Sequence, residues 1–157
     1  MDIVELLKEE DIQEVSDLIS TTAEISFKHF IPQKEIERIK KSLDYDGVKK
    51  RASWTHFYVI KNNNKIVTCG AIGPYWGSET ESSLFTIFVH PDYQNKGYGR
   101  KIMETLEKDE YFVRSKRIEI PASLRALPFY LHFGYRLKND EYIIEDYHIV
   151  LEKFNKN

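Results

Sequence analysis

Apolar residues recur along the chain at two spacings, and the change from one to the other maps the elements. After a short apolar stretch from Ile3 to Leu7, residues Ile12, Val15, Leu18 and Ile19 repeat at the three-and-four spacing of one helix face. Ile36, Ile39 and Leu43 do so again behind Pro32, which suits a first helical turn. The pattern then becomes β-rich. THFYVI and KIVTCGAIG are separated by Asn62, Asn63 and Asn64, residues that tolerate the positive φ of a tight connection, so the two runs predict a hairpin. A loop containing Gly73, Pro74 and Gly77 leads to a third β-rich run, SSLFTIFV. Beyond it, Ile102, Met103 and Leu106 share a helix face, KRIEI predicts a strand and SLRALPFYLHF a helix. YRLK and YIIEDYHIVLEK, joined through Asn139 and Asp140, predict a last hairpin.

The predicted order is therefore strand, two helices, three strands, helix, strand, helix and two strands. Such a mixture is α+β, with helices packed on a largely antiparallel sheet. The strands flanking the helix after Gly99 form the expected parallel pair, because a strand–helix–strand crossover brings parallel neighbours together. With 157 residues and no internal repeat or linker, residues 1–157 are expected to form a single domain.

Composition narrows the function. A net charge of -2 leaves no global field to hold a polyanion, so nucleic acid is not an expected partner and any anion site must be local. The single cysteine, Cys69, excludes an intrachain disulfide. MDIVELLKEEDIQ lacks the basic-then-apolar layout of a signal peptide, and no apolar run is long enough to span a bilayer. A cytoplasmic protein without a membrane partner is the expectation. His29, His56, His90, His132 and His148 show no paired metal-ligand spacing, so no metal is expected. Cys69 lies in an apolar run and reads as a small core residue, and neither G-x-S-x-G nor a cysteine-protease signature occurs. Covalent catalysis has no support.

The stretch VHPDYQNKGYGRK, Val89 to Lys101, breaks the rules of local stability. Two glycines early in a helix each cost about 0.8–1 kcal/mol relative to alanine. Lys96, Arg100 and Lys101 oppose the positive end of the helix dipole, at about 0.3–1 kcal/mol each when exposed. Both objections vanish if an anion sits at the helix start, where free N–H groups converge, glycine lets the backbone approach and the cations supply charge. A phosphate or pyrophosphate is the expected ligand; the alternative is a strand-to-helix turn with solvated cations. The dinucleotide fingerprint would need glycine where Ile102 stands, and no G-x-x-x-x-G-K-[ST] loop occurs.

VHPDYQNKGYGRKIMETLE resembles the acetyl-CoA-binding motif of the GNAT superfamily of N-acetyltransferases, V-x-P-x-x-[QR]-x-x-G-x-[GA]-x-x-[LIM]. Val89, Pro91, Gln94, Gly97, Gly99 and Ile102 or Met103 fall at the motif's positions. Downstream, PASLRALPFYLHFGY resembles the family's second cofactor segment, with Ala126, Phe129, Tyr130, Gly134 and Tyr135 in place. The resemblance is strong from Leu84 to Tyr135 and extends by element order over nearly the whole chain. It implies the GNAT, or acyl-CoA N-acyltransferase, fold: a mixed, mostly antiparallel sheet with helices on both faces. It also implies acetyl-CoA as cofactor. Ile87, Phe88 and Val89 would line the pantetheine arm through backbone hydrogen bonds. The turn of Gln94, Asn95, Lys96, Gly97, Tyr98, Gly99, Arg100 and Lys101 would cradle the pyrophosphate. The family's dimers make a homodimer the implied assembly.

Acetyl transfer from a thioester to an amine needs a neutral amine, a donor for the oxyanion and a proton for the departing thiolate. Tyr130 matches the family's general acid; its alternative is a core tyrosine packed beside Phe129. Ser123 stands where many members have asparagine, as a cofactor contact or a helix N-cap. Pro128 either starts the following helix late or kinks it. The position six before Val89, where members often carry a glutamate base, is Ser83. Glu81, acting through a water, is the first candidate for the base, with Glu119 and His90 behind it; a solvated charge is its alternative. Around the acceptor the family places SFKHFIP and the final hairpin. Phe27 and Phe30 read as core, while Tyr75 and Trp76 stand open on a loop. The expected activity is transfer of an acetyl group to a primary amine of a small molecule. A protein lysine or N-terminal amine, and a catalytically silent CoA-binding module, are the alternatives.

Overall fold

The apolar stretch at the start folds as β1 (Asp2–Leu6), and the two helical patterns fold as α1 (Ile12–Ser26) and α2 (Gln33–Ser42). In the computed structural model, which describes residues 1–155, the chain falls into two compact units. Unit 1 comprises Met1–Ala71 and Thr86–Glu107; unit 2 comprises Ile72–Phe85 and the described residues from Lys108 on.

In unit 1, α1 buries Ile12, Val15, Leu18, Ile19 and Ala23, the face its spacing predicts. The polar helix α2 buries Ile36 alone and is held outside by Lys40 against Glu24 at 3.0 Å. A third helix, α3 (Tyr45–Ala52), was not legible from periodicity because it too buries one residue, Val48. Asp44 caps it by accepting from the Gly47 N–H at 2.9 Å.

The predicted hairpin forms as β2 (His56–Asn62) and β3 (Lys65–Pro74), turning at Asn63 and Asn64 with φ of 50° and 67°. The strand order here is β1-β2-β3-β4, where β4 spans Glu81–Val89, and β1 pairs antiparallel with β2. Helix α4 (Tyr98–Glu107) lays Ile102, Met103 and Leu106 in the core of this unit. Each such burial is worth about 1.5–3 kcal/mol. The close approach depends on Gly70, where a Cβ would stand 2.8 Å from Ile102 Cγ1 and 3.2 Å from Leu106 Cδ1.

In unit 2, β4 begins beside β5 (Arg117–Ser123) as the expected parallel pair, with Glu81 opposite Arg117 and Ser83 opposite Glu119. β5 runs antiparallel to β8 (His148–Phe154) over its whole length, from Arg117 opposite Phe154 to Ser123 opposite His148. Alternation sends Ile118, Ile120, Ala122, Ile149 and Leu151 into the core and leaves Glu119, Pro121 and Val150 on the other face. A short helix absent from the periodicity, α5 (Glu110–Arg114), is capped by Asp109 and buries Phe112.

Two expected elements differ in form. SLRALPFYLHF is not one helix: Ser123 ends β5, a 3-10 turn covers Leu124–Ala126, and α6 (Leu127–His132) follows with Pro128 in its first turn. Pro128 thus starts the helix late, because its missing N–H is harmless only there. The last hairpin also divides. YRLK contributes β6 (Arg136–Leu137), which pairs antiparallel with β8 as expected. YIIEDYHIVLEK, however, folds back on itself at Asp146 and Tyr147, with φ of 47° and 65°, into β7 (Ile144–Glu145) and β8.

Candidate functional site

Unit 1 carries the stretch that looked unstable on its own. Ile87, Phe88 and Val89 end β4 half-exposed, and the following His90 N–H donates to the Val67 carbonyl at 2.8 Å, which anchors the strand end to β3. Past a 3-10 turn over Pro91–Tyr93, the chain enters a turn from Gln94 into α4. Asn95 has φ of 62° and Gly97 φ of 89°, two left-handed residues alternating with their neighbours ahead of a helix N-terminus. Alternation of left- and right-handed residues is the backbone pattern in which successive N–H groups can converge on an anion. A Cβ on Gly97 would meet nothing within 4 Å, so its glycine serves the backbone conformation and not a close approach.

The side chains around this turn divide into supports and exposed groups. Gln94 Nε2 donates to Ser26 Oγ at 2.9 Å and to the Val89 carbonyl at 3.2 Å, tying the turn to α1 and to the end of β4. Lys96 is exposed, with its ammonium 5.5 Å from the Tyr93 ring centre. Arg100 is exposed as well. Lys101 instead donates to Asp2 at 2.6 Å, and the buried Tyr98 donates its hydroxyl to the same carboxylate at 2.9 Å. Both side chains are thereby engaged with β1. Nothing in the spacing of the sequence could have announced Asp2 as their partner.

His90 accepts from the Asp92 N–H at Nδ1 over 3.0 Å and caps the 3-10 turn, which also accounts for Asp92 as a turn residue. Burial, with the Lys65 ammonium nearby, lowers its imidazole below the ordinary value. Phe27 is half-buried, its ring 6.1 Å from Phe88. Phe30, read as core, is 60% exposed; it follows the end of α1 in a bend that turns it outward. Cys69 is fully buried, and burial pushes its thiol up to about 12, which suits the core residue expected and not a nucleophile.

Unit 2 carries the candidate acid and base. Tyr130 lies on α6, buried against Phe129 and Tyr135 at ring separations of 5.2 Å and 6.2 Å. Burial pushes its phenol well above the ordinary tyrosine value, so the hydroxyl keeps its proton throughout the physiological range. The end of α6 is fixed by Gly134 at φ of 91° and by Lys153 Nζ, which donates to the Phe133 carbonyl at 2.8 Å. Ser123 is half-buried, and its side chain makes no capping bond to the turn that follows.

Glu81 belongs to a charged network that the sequence did not reveal. Arg117 donates to Glu81 at 3.0 Å, to Glu152 at 2.7 Å and to Glu119, and Lys138 donates to Glu119 at 2.9 Å. The register explains the grouping, since it stacks Glu81, Arg117, Glu119 and Glu152 on neighbouring strands. Burial alone would raise the Glu152 carboxyl, yet the Arg117 guanidinium and the Asn139 N–H hold it below its ordinary value. Tyr75 lies within 5.3 Å of the Arg117 guanidinium and 5.9 Å of the Lys138 ammonium, whereas Trp76 is 90% exposed at φ of 47°. Beside this network, a cavity of about 340 Å³ is lined by Pro121, Ile143 and Val150, by the acids Glu141, Glu145 and Asp146, and by Lys138, Asn139 and His148. Among the described residues no group of side chains is arranged to hold a metal ion, and no helix is long and apolar enough to cross a membrane.

Comparison with known proteins gives these features a context. The profile of the acetyltransferase (GNAT) domain family matches residues 53–137, which run from the end of α3 to β6. The PaiA N-acetyltransferase of Thermoplasma acidophilum, solved in complex with coenzyme A, superimposes with a TM-score of 0.83 over 99% of both chains at 12% identity. A GCN5-related N-acetyltransferase structure from Rhodopseudomonas palustris gives 0.79 at 16% identity, over 99% of this chain and 96% of that one. These likenesses establish the fold. The amino-acid acetyltransferase of Buchnera aphidicola subsp. Schizaphis graminum is 19% identical over 145 residues, 92% of this chain, which spans 30% of that relative's length.

Proposed function

The chain belongs to the GNAT acetyltransferase family, and on that premise we propose that it moves an acetyl group from acetyl-CoA to a primary amine of a small molecule. The observation that carries this reading is the open turn from Gln94 to Gly99, with left-handed Asn95 and Gly97 ahead of α4. Its geometry suits a pyrophosphate, and Lys96 and Arg100 are the exposed cations beside it. Coenzyme A, which PaiA holds, carries such a pyrophosphate, joined through the pantetheine arm to the sulfur that bears the acetyl group in acetyl-CoA.

In the reaction, the amine nitrogen bonds to the thioester carbonyl carbon, the carbon–sulfur bond breaks and the sulfur takes a proton. Tyr130 is the proposed donor of that proton. Because burial keeps its phenol protonated, transfer to a thiolate whose acid has pKa about 8.5 runs concertedly with carbon–sulfur cleavage and not before it. Glu81 is the proposed base, removing the amine's proton through a water. Its Oε1 accepts from Arg117, which orients the carboxylate and leaves Oε2 for that water. The cavity beside the final hairpin is the proposed place for the amine, where Glu141, Glu145 and Asp146 outnumber the one lysine, Lys138, in the lining and Ile143 and Val150 offer an apolar wall. The protein acts in the cytoplasm and, as its family suggests, as a homodimer.

Thiol release from acetyl-CoA, followed against a panel of small primary amines and lysine peptides, tests the reading. Turnover is expected on a small amine, and Y130F should lower it about 100-fold. Undiminished turnover in Y130F would remove Tyr130 from the mechanism. Coenzyme A binding without turnover on any amine would mark a silent binding module, and turnover confined to peptides a protein acetyltransferase.

A further inference from the structure

Thr86 stands in the middle of β4 at φ of 57°, a left-handed conformation that a β-branched residue adopts only under constraint. Two contacts supply the constraint. Arg51 Nη1, at the C-terminal end of α3, donates to Thr86 Oγ1 at 2.9 Å. Cys69 Sγ, on β3, donates to the Thr86 carbonyl at 3.3 Å. The half-buried Arg51 guanidinium stands 5.7 Å from the centre of the Trp54 ring, and its partial desolvation strengthens a charge-assisted bond. A left-handed residue within a strand rotates the peptide groups that follow it, and those belong to Ile87, Phe88 and Val89.

We propose that Arg51 is a positioning residue: by holding the hydroxyl of left-handed Thr86, it sets the direction of the backbone N–H and C=O groups of Ile87–Val89 that receive the pantetheine arm of the cofactor. The inference rests on the acetyl-CoA reading above and adds to it a link from α3, an element outside both cofactor motifs. Arg51 itself touches neither cofactor nor acceptor in this assignment. Its effect passes through the hydrogen bond to Thr86. The bond also explains why threonine stands at a position where glycine would meet no conformational penalty: glycine would offer no oxygen for the guanidinium.

Calorimetric titration of the full chain with coenzyme A, together with melting temperatures without ligand, tests the link. R51M and T86V should each weaken binding about tenfold, and the double variant also about tenfold rather than a hundredfold, since both remove the same bond. T86S, which keeps the hydroxyl, should restore most of the affinity lost in T86V. A role confined to stability would lower the melting temperatures and leave the affinities alone, and that result would overturn the proposal. So would independent losses multiplying in the double variant. No binding by the unaltered protein would instead overturn the acetyl-CoA reading and this inference together.

Discussion

The Lys101 ammonium lies 2.6 Å from the Asp2 carboxylate, and Asn62 and Tyr98 each reach the other oxygen of that carboxylate at 2.9 Å. The first turn of α4 is thus clamped to the strand that opens the chain. The Lys101 hydrogen bond, aided by those from Asn62 and Tyr98, holds the Asp2 carboxyl far below the ordinary carboxylate range. A carboxyl lowered on folding stabilises the protein above its unfolded pKa, about 3.9, and that contribution fades as pH falls toward the folded value. D2N should therefore melt lower than the unaltered protein at pH 7. The gap should narrow below about pH 4 and shrink with added salt, because the pair is partly exposed. Thermal melts across pH 2–7 read this directly, and a gap constant across that range would assign the clamp no ionic share.

Gly97 separates folding from binding. Alanine there meets no neighbour but must adopt φ of 89°, which costs about 1–2 kcal/mol. Apo G97A should lose only that much in denaturant melts. Its affinity for coenzyme A should fall further, by about tenfold or more, because relief of the strained φ would alter the N–H array proposed to hold the pyrophosphate. An affinity loss no larger than the stability loss would place the anion elsewhere.

Arg117 balances three carboxylates while its own side chain is 11% exposed and that of Glu152 only 6%. R117M should destabilise the protein by about 3–5 kcal/mol, the cost of leaving buried charge without its partner. R117M/E152Q should recover part of that loss, since neutralising Glu152 removes the most buried of the stranded acids. Urea melts of both variants check the pair, and a double variant weaker than R117M would show that Glu152 has another role.

Much of the fold was legible because it follows periodicity. Ile12 to Ile19, the Asn63–Asn64 turn and the β4–β5 crossover each have a local cause that the spacing exposes. The helices α3 and α5 were not, because each buries a single residue and only the caps at Asp44 and Asp109 marked them. The turn at Asp146 and Tyr147 was hidden because Asp146, which tolerates positive φ, is followed by Tyr147, which does not favour it, inside a run of strand-forming residues. At the candidate site, glycines and cations could be read as an anion turn, but the partners of those cations could not. Lys101 to Asp2 and Arg51 to Thr86 join residues 99 and 35 positions apart, and only the folded chain brings them together.

The most direct measurement is the melting temperature of the full chain with and without saturating acetyl-CoA. A ligand at 100 times its dissociation constant adds about 2.7 kcal/mol to a protein that binds it only when folded. Binding of acetyl-CoA at the turn before α4 requires that rise, and requires it to be smaller in G97A at the same concentration. A melting temperature unmoved by acetyl-CoA would contradict it.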